Sequence, residues 1–287
     1  MWKIKEAIAA RFEGSLMESI KNSWIIITVI LVMLLLIVTI LYTIRYVKST
    51  KFNKVILHDS MLALDNRNVM PYVIPAERMN SLVALGQEFG YSFWIFLSGA
   101  YSITGGHKII FQRGNTDAPG YVSPSTSPLV VMDPSTNRMY VAVSTTAVTT
   151  GMSIPQVFAK TNGKFDSGFL VSYIDYVPLQ RWVNVLVVVK DKNMYTYMDG
   201  DIYSVVSTGD IPVTDRPMVR GTSDDLVIGD NKNNTPGFIS MTQFFNYALT
   251  QRDAKSIYKA GPSKSTWLTL FGFGNYGVRN PIYQITE

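Results

Sequence analysis

Hydrophobic and polar positions follow three different rhythms along this chain. From Trp24 to Ile44 there is no rhythm at all: WIIITVILVMLLLIVTILYTI runs 21 residues without a charge, a Gly or a Pro. At about 1.5 Å per helical residue this spans roughly 30 Å, the hydrocarbon thickness of a bilayer. A core helix of that length would keep a polar face. A cleaved signal would be shorter and would end in a small-residue cleavage site. The pattern therefore predicts a transmembrane helix over 23–46, with Trp24 and Tyr42 near its ends at headgroup level.

Before it, over 1–22, apolar residues step by four (Ile4, Ile8, Phe12, Leu16, Ile20), with Lys3, Glu6, Arg11, Glu18 and Lys21 mostly opposite. That period predicts an amphipathic helix lying in the membrane interface or against a partner helix. After it comes a stretch of mixed composition, expected as a connector over 47–80, where Pro71 and Pro75 interrupt any helix.

From there the rhythm is period two. YSFWIFL (91–97), KIIFQ (108–112), PLVVM (128–132), RMYVAVS (138–144) and GFLVSYI (168–174) read as strands. So do RWVNVLVVVK (181–190), NMYTYM (193–198), DIYSVV (201–206), DLVIG (225–229) and GFISMTQFF (237–245). Only LTQRDAKSIYK (249–259) reads as a helix. Many short strands without alternating helices predict an all-β antiparallel sandwich.

One meander is legible in detail. Asp191-Lys192 and Asp199-Gly200 separate three strands between Trp182 and Val206, and Asp-Gly suits a type I′ turn, in which both central residues take positive φ. Met194, Thr196 and Met198 alternate with the phenols of Tyr195 and Tyr197. Val185 to Val189 is apolar on both sides, as in the middle of a two-layer core, where Trp94 and Trp182 are also expected.

Composition narrows the chemistry. There is no Cys among 287 residues, which removes disulfide scaffolds, Cys-ligated zinc, iron–sulfur clusters and thiol nucleophiles. Two histidines, His58 and His107, leave little for a His-built metal site and have no evident Ser and Asp partners. The net charge of +5 lies wholly in residues 1–55, with eight basic and three acidic residues; the remainder balances. The charge therefore does not point to nucleic acid. Arg45, Lys48, Lys51 and Lys54 directly follow the apolar span, so the positive-inside bias puts the C-terminal part on the cytoplasmic side. These side chains suit anionic headgroups of the bilayer. The sequon Asn233-Asn234-Thr235 is expected by chance in so Asn- and Thr-rich a chain.

The string PLQRWVNVLVVVKDKNMYTYMDGDIYSVV (178–206) resembles the centre of a laminin G-like, concanavalin A-like jelly-roll domain: a Trp-initiated strand, a hairpin, then a Tyr-x-x-Asp-Gly turn. DLVIGDNKNNTPGFISMTQFFNYALTQRDAKSIYKAGP (225–262) is similar to that family's ending, and FGYSFWIFLSG (89–99) to its first inner strand. The resemblance implies a jelly roll over 81–262, with Trp94, Trp182, Asp199 and Gly200 in structural roles. A tail, 263–287, lies beyond it. On function the resemblance is nearly silent, since the family includes lectins, adhesion modules, hydrolases and structural proteins.

Hydrolases of this superfamily pair carboxylates on one strand, as Glu-x-Asp-x-Glu, so that acid and nucleophile flank one bond. The six Glu here (6, 13, 18, 77, 88, 287) include no such pair, and no enzymatic activity is expected. AGPSKST (260–266) lacks the Gly before Lys264 that a phosphate loop needs. The resemblance raises calcium, for which Asp224, Asp225, Asp230 and Asn231 offer hard oxygens, though loops carry Asp and Asn for turn reasons anyway. No other cofactor is expected. The tail gathers Trp267, Phe271, Phe273 and Tyr276, which suit an extra strand or the docking of a neighbouring subunit.

A membrane anchor before a Cys-free domain of this type is similar to minor structural proteins of large DNA viruses. That resemblance implies a non-enzymatic minor capsid protein, its domain on the capsid side of an internal virion membrane and its partners capsid or membrane-complex subunits. The alternative is a membrane-anchored, glycan-binding, lectin-like adhesion module.

Overall fold

The computed structural model describes residues 23–24, 27–44, 54–79, 88–99, 106–114, 121–211, 218–230 and 235–263. The chain divides into two units, Met1–Phe52 and Asn53–Glu287. In the first, helix α1 (Ile27–Ile44) has a mean hydropathy of 2.9 and no buried side chain; by length and composition it is able to cross a membrane. Its threonines close their hydroxyls on the preceding turn: Thr28 Oγ1 donates to Trp24 O and Thr43 Oγ1 to Thr39 O, both at 2.8 Å, and Thr39 donates to Leu35 O. No hydroxyl of α1 is thereby left to a solvent that hydrocarbon does not supply. The amphipathic pattern of 1–22, Arg45, Lys48 and Lys51 lie outside the described residues.

The second unit is an all-β antiparallel sandwich of jelly-roll type. Its strands are β1 (Lys54–His58), β2 (Leu62–Ala63), β3 (Tyr72–Ile74), β4 (Phe89–Leu97), β5 (Lys108–Arg113) and β6 (Tyr121–Val122). Next come β7 (Leu129–Met132), β8 (Met139–Val143), β9 (Met152–Ser153), helix α2 (Ile154–Val157), β10 (Lys160–Thr161), β11 (Lys164–Phe165) and β12 (Leu170–Ile174). The chain continues through β13 (Trp182–Lys190), β14 (Asn193–Met198), β15 (Asp201–Ser207), β16 (Leu226–Ile228), β17 (Gly237–Phe245) and helix α3 (Gln251–Ala260). One sheet runs β1-β17-β4-β13-β14-β15, with β2 also on β17; the other runs β12-β8-β7-β5-β16-β3.

The stretch expected as a connector over 47–80 is therefore part of the sandwich. Lys54 pairs with Phe245, and Tyr72 with Ile228. Pro71 and Pro75 bracket β3 instead of breaking it, because an edge strand tolerates proline beside it.

The core lies between the sheets. Phe93, Ile95, Val185, Val187, Val189 and Ile239 of one sheet meet Ile110, Val130, Val141, Val143, Leu170 and Leu226 of the other. Each buried side chain of this size contributes about 1.5–3 kcal/mol. Arg113 is buried too: Nη1 donates to Tyr91 Oη at 3.0 Å and Nε to Asp224 O at 2.9 Å.

The opposite face of the seven-stranded sheet is covered by α3. Leu186, Val188, Tyr197 and Phe245 pack there with Leu249 and Ala254, which explains why Val185 to Val189 is apolar on both sides. Tyr195 and Tyr197 thus lie beneath a helix. Thr250 and Asp253 cap α3 reciprocally, Thr250 N–H donating to Asp253 Oδ2 at 2.9 Å and Asp253 N–H to Thr250 Oγ1 at 3.3 Å. Trp94 and Trp182 are buried, but not in the inter-sheet core where they were expected. They cluster with Met241 on the outer face, and Trp94 stacks on Tyr258 of α3 at 5.6 Å. Strict alternation requires this, since Phe93 and Ile95 point inward.

Candidate functional site

β12 ends one sheet and β15 ends the other, and both ends fall on the same side of the sandwich. Between them opens a cleft of about 540 Å³. Its floor comes from Leu170, Ser172, Ser204 and Val206, and its walls from Phe165, Tyr173, Tyr203 and Asp210.

Local sequence shapes it. Thr196 pairs with Ser204 but Tyr197 with Ile202, so Tyr203 is the extra residue of a bulge. A bulge re-aims a side chain. Here Tyr203 crosses to the other sheet, where its Oη accepts the Asp175 backbone N–H at 3.0 Å. Deeper in, the Ser172 and Ser204 hydroxyls meet at 2.5 Å, and Thr196 Oγ1 donates to Ser172 Oγ at 2.9 Å. These hydroxyls tie the sheets together beneath the opening.

The rim is aromatic and cationic. Lys160 Nζ lies 4.7 Å from the Phe165 ring centre and 4.9 Å from that of Tyr173, and the Arg138 guanidinium lies 5.4 Å from Tyr173. Arg138 also pairs with Asp175 at 2.9 Å; both are well exposed, so the pair is worth at most about 1 kcal/mol. Neither carboxylate of the cleft is placed as an acid–base catalyst: Asp175 meets Arg138, and Asp210 Oδ2 accepts the Ser207 N–H at 3.0 Å.

The outer edge of β15 pairs with no strand among the described residues. Along it Ile202 and Val205 are exposed. It carries no Lys and no Pro, the usual guards of an exposed strand edge. On the far side of the same sheet, β1 carries Lys54 and His58 and a register shift.

Other residues singled out by sequence are elsewhere. Trp24 and Tyr42 are exposed on the apolar helical segment. Lys54, expected with the basic stem, opens β1 with its ammonium 5.7 Å from the Phe245 ring centre. Asp199 and Gly200 form the β14–β15 turn, both at positive φ. Asp224 Oδ2 accepts from Ser125 Oγ at 2.8 Å and from Thr222 Oγ1 at 3.0 Å; Asp225 Oδ1 accepts the Ala76 N–H at 2.7 Å. These acids tie loops together, and no group of three or more His, Asp or Glu able to hold a metal occurs among the described residues. Asn231, Trp267, Phe271, Phe273 and Tyr276 lie outside them.

Neither histidine was expected to have a Ser partner, yet His58 Nε2 lies 3.0 Å from Ser60 Oγ. The two are neighbours in an exposed turn, and neither lines the cleft. His107 packs against Phe158 at 5.6 Å. The cleft itself was missed because it arises from topology; the only local sign is the bulge, which sequence does not announce.

No protein-family model matches the chain, and no curated protein matches it in sequence. Solved structures do. A botulinum neurotoxin serotype D binding domain aligns at 12% identity and TM-score 0.44, over 73% of this chain and 42% of that one. The receptor binding domain of botulinum neurotoxin D aligns at 12% and 0.45, over 73% and 48%. The botulinum neurotoxin type G receptor binding domain aligns at 15% and 0.38, over 60% and 38%. The chain spans less than half the length of each, and a likeness this distant bears on neither ligand nor partner.

Proposed function

We propose that this chain is a membrane-anchored interaction protein that works without catalysis, its sandwich receiving an extended segment of another protein along the open edge of β15. The observation that carries this reading is the unguarded edge itself: exposed Ile202 and Val205 beside a 540 Å³ cleft, with no strand on the outer side among the described residues. A strand edge offers main-chain hydrogen bonds, and the adjoining cleft takes alternate side chains of what is added.

More specifically, we propose a minor capsid protein that tethers an internal virion membrane to the capsid. The basic cluster Arg45, Lys48, Lys51 and Lys54 supports a cytoplasmic, hence capsid-side, sandwich. A second reading, glycan binding, is favoured by Tyr173 and Tyr203 beside Ser207 and Asp210 in the cleft. Against it, Lys160 and Arg138 already lie over Tyr173.

The test is affinity capture with the full-length chain in detergent, wild type against Val205→Lys, with a glycan array in parallel. A discrete protein partner lost on Val205→Lys supports the proposal. Array binding with no protein partner favours the glycan reading.

A further inference from the structure

On the outer face of the seven-stranded sheet, three aromatic residues form one cross-strand row. Phe238 pairs with Phe96, and Phe96 with Trp182. The rings are 6.2 and 5.6 Å apart. Trp182 is buried, Phe96 half-buried and Phe238 exposed by 38%. A single exposed Phe is ordinary on a protein surface, but a graded row of three is a contiguous apolar strip.

The chain after α3 emerges beside this strip. Ser240, two residues from Phe238 on the same face of β17, donates its hydroxyl to Pro262 O at 2.7 Å. The next residues have fitting chemistry. Between Lys264 and Arg279 there is no charged residue, and Trp267, Phe271 and Phe273 fall on one side of an extended chain.

The reach also suffices. Four residues from Ser263 to Trp267 span about 13–14 Å when extended. The step from Ser240 to Phe238 is about 7 Å, and crossing from β17 through β4 to β13 is about 10 Å.

We infer that residues 264–276 of this same chain fold back over the Phe238–Phe96–Trp182 row, with Trp267 and Phe271 as the anchoring side chains. The tail then serves as the cover of the sandwich's own outer face, and a neighbouring subunit is not its docking target.

Photo-crosslinking tests this on the full-length chain in dilute detergent micelles, with Phe238 replaced by p-benzoylphenylalanine. The expected product is an intrachain adduct between position 238 and residues 264–276, mapped by mass spectrometry. A crosslinked dimer, or adducts to detergent alone, overturns the inference. A second measurement uses Phe238→Ser, whose exposed position keeps the fold intact. Chymotryptic cleavage at Trp267 and Phe271 is expected to accelerate about tenfold, because docking protects those sites. An unchanged cleavage rate overturns the inference as well.

Discussion

Asn184 and Asp199 exchange two hydrogen bonds, and one of them ends on a carboxylate. Asp199 N–H donates to Asn184 O at 2.8 Å, and Asn184 N–H donates to Asp199 Oδ1, also at 2.8 Å. The β13–β14 ladder ends at Val185–Met198, and Asp199 turns to φ +53°, so its side chain supplies the acceptor at the next rung. Asp199 Oδ2 takes Arg181 at 2.9 Å. Burial pushes this carboxyl up, against the Asn184 N–H and the Arg181 charge, which hold it down. Asp199→Ala loses the acceptor and strains the positive φ, and is expected to cost about 2–3 kcal/mol. Asp199→Asn keeps both features and is expected to cost about 1 kcal/mol. Denaturant unfolding of the full-length variants, followed by tryptophan fluorescence, measures the difference.

Acid is expected to destabilise the sandwich through its histidines. Burial pushes His107 below its ordinary value of 6.5, with Asp133 opposing. Burial likewise lowers His58, where Asp59 opposes and Arg78 adds to the lowering. A folded-state value below the unfolded one means the unfolded chain binds more protons as pH falls through about 6.5. Stability is therefore retained above that pH and lost below it. The unfolding midpoint should drop between pH 7 and 5, and His107→Gln should flatten the drop.

The hydroxyl tie beneath the cleft is a coupled unit. Ser172→Ala leaves the buried Thr196 hydroxyl without its acceptor, at an expected cost of about 1–3 kcal/mol. Adding Thr196→Val removes the orphaned group and should recover much of the loss. A double-mutant cycle reports that coupling as a departure from additivity.

Gly200 holds the turn under α3. It sits at φ +86°, and a Cβ there would stand 3.2 Å from both Lys255 Cα and Tyr258 Cβ. Gly200→Ala is expected to destabilise by about 1–2 kcal/mol, with the Trp94–Tyr258 stack reporting the displacement as a change in tryptophan emission.

Much of this architecture was written in local pattern. β14 and β17 begin and end where alternation and turn residues put them, and Asp199-Gly200 takes the two positive φ values its turn needs. What escaped was set by distant partners. β1 and β3 are short, lie among polar residues and prolines, and become strands only because β17 and β16 present edges to them. The placement of Trp94 was decided by α3, some 160 residues later, which gives the outer face a second apolar layer. The cleft was least legible of all. It depends on two sheets ending on the same side and on one inserted residue, Tyr203, and neither has a compositional mark.

A photoreactive residue at position 205 asks whether the free edge of β15 receives another protein. With the full-length chain in its native membranes, adducts are expected on one partner protein, within one contiguous segment. The companion change Ile202→Lys should abolish them while leaving the unfolding midpoint unchanged. Adducts scattered over many proteins, or none at all alongside saturable glycan binding, would refute a protein-receiving edge.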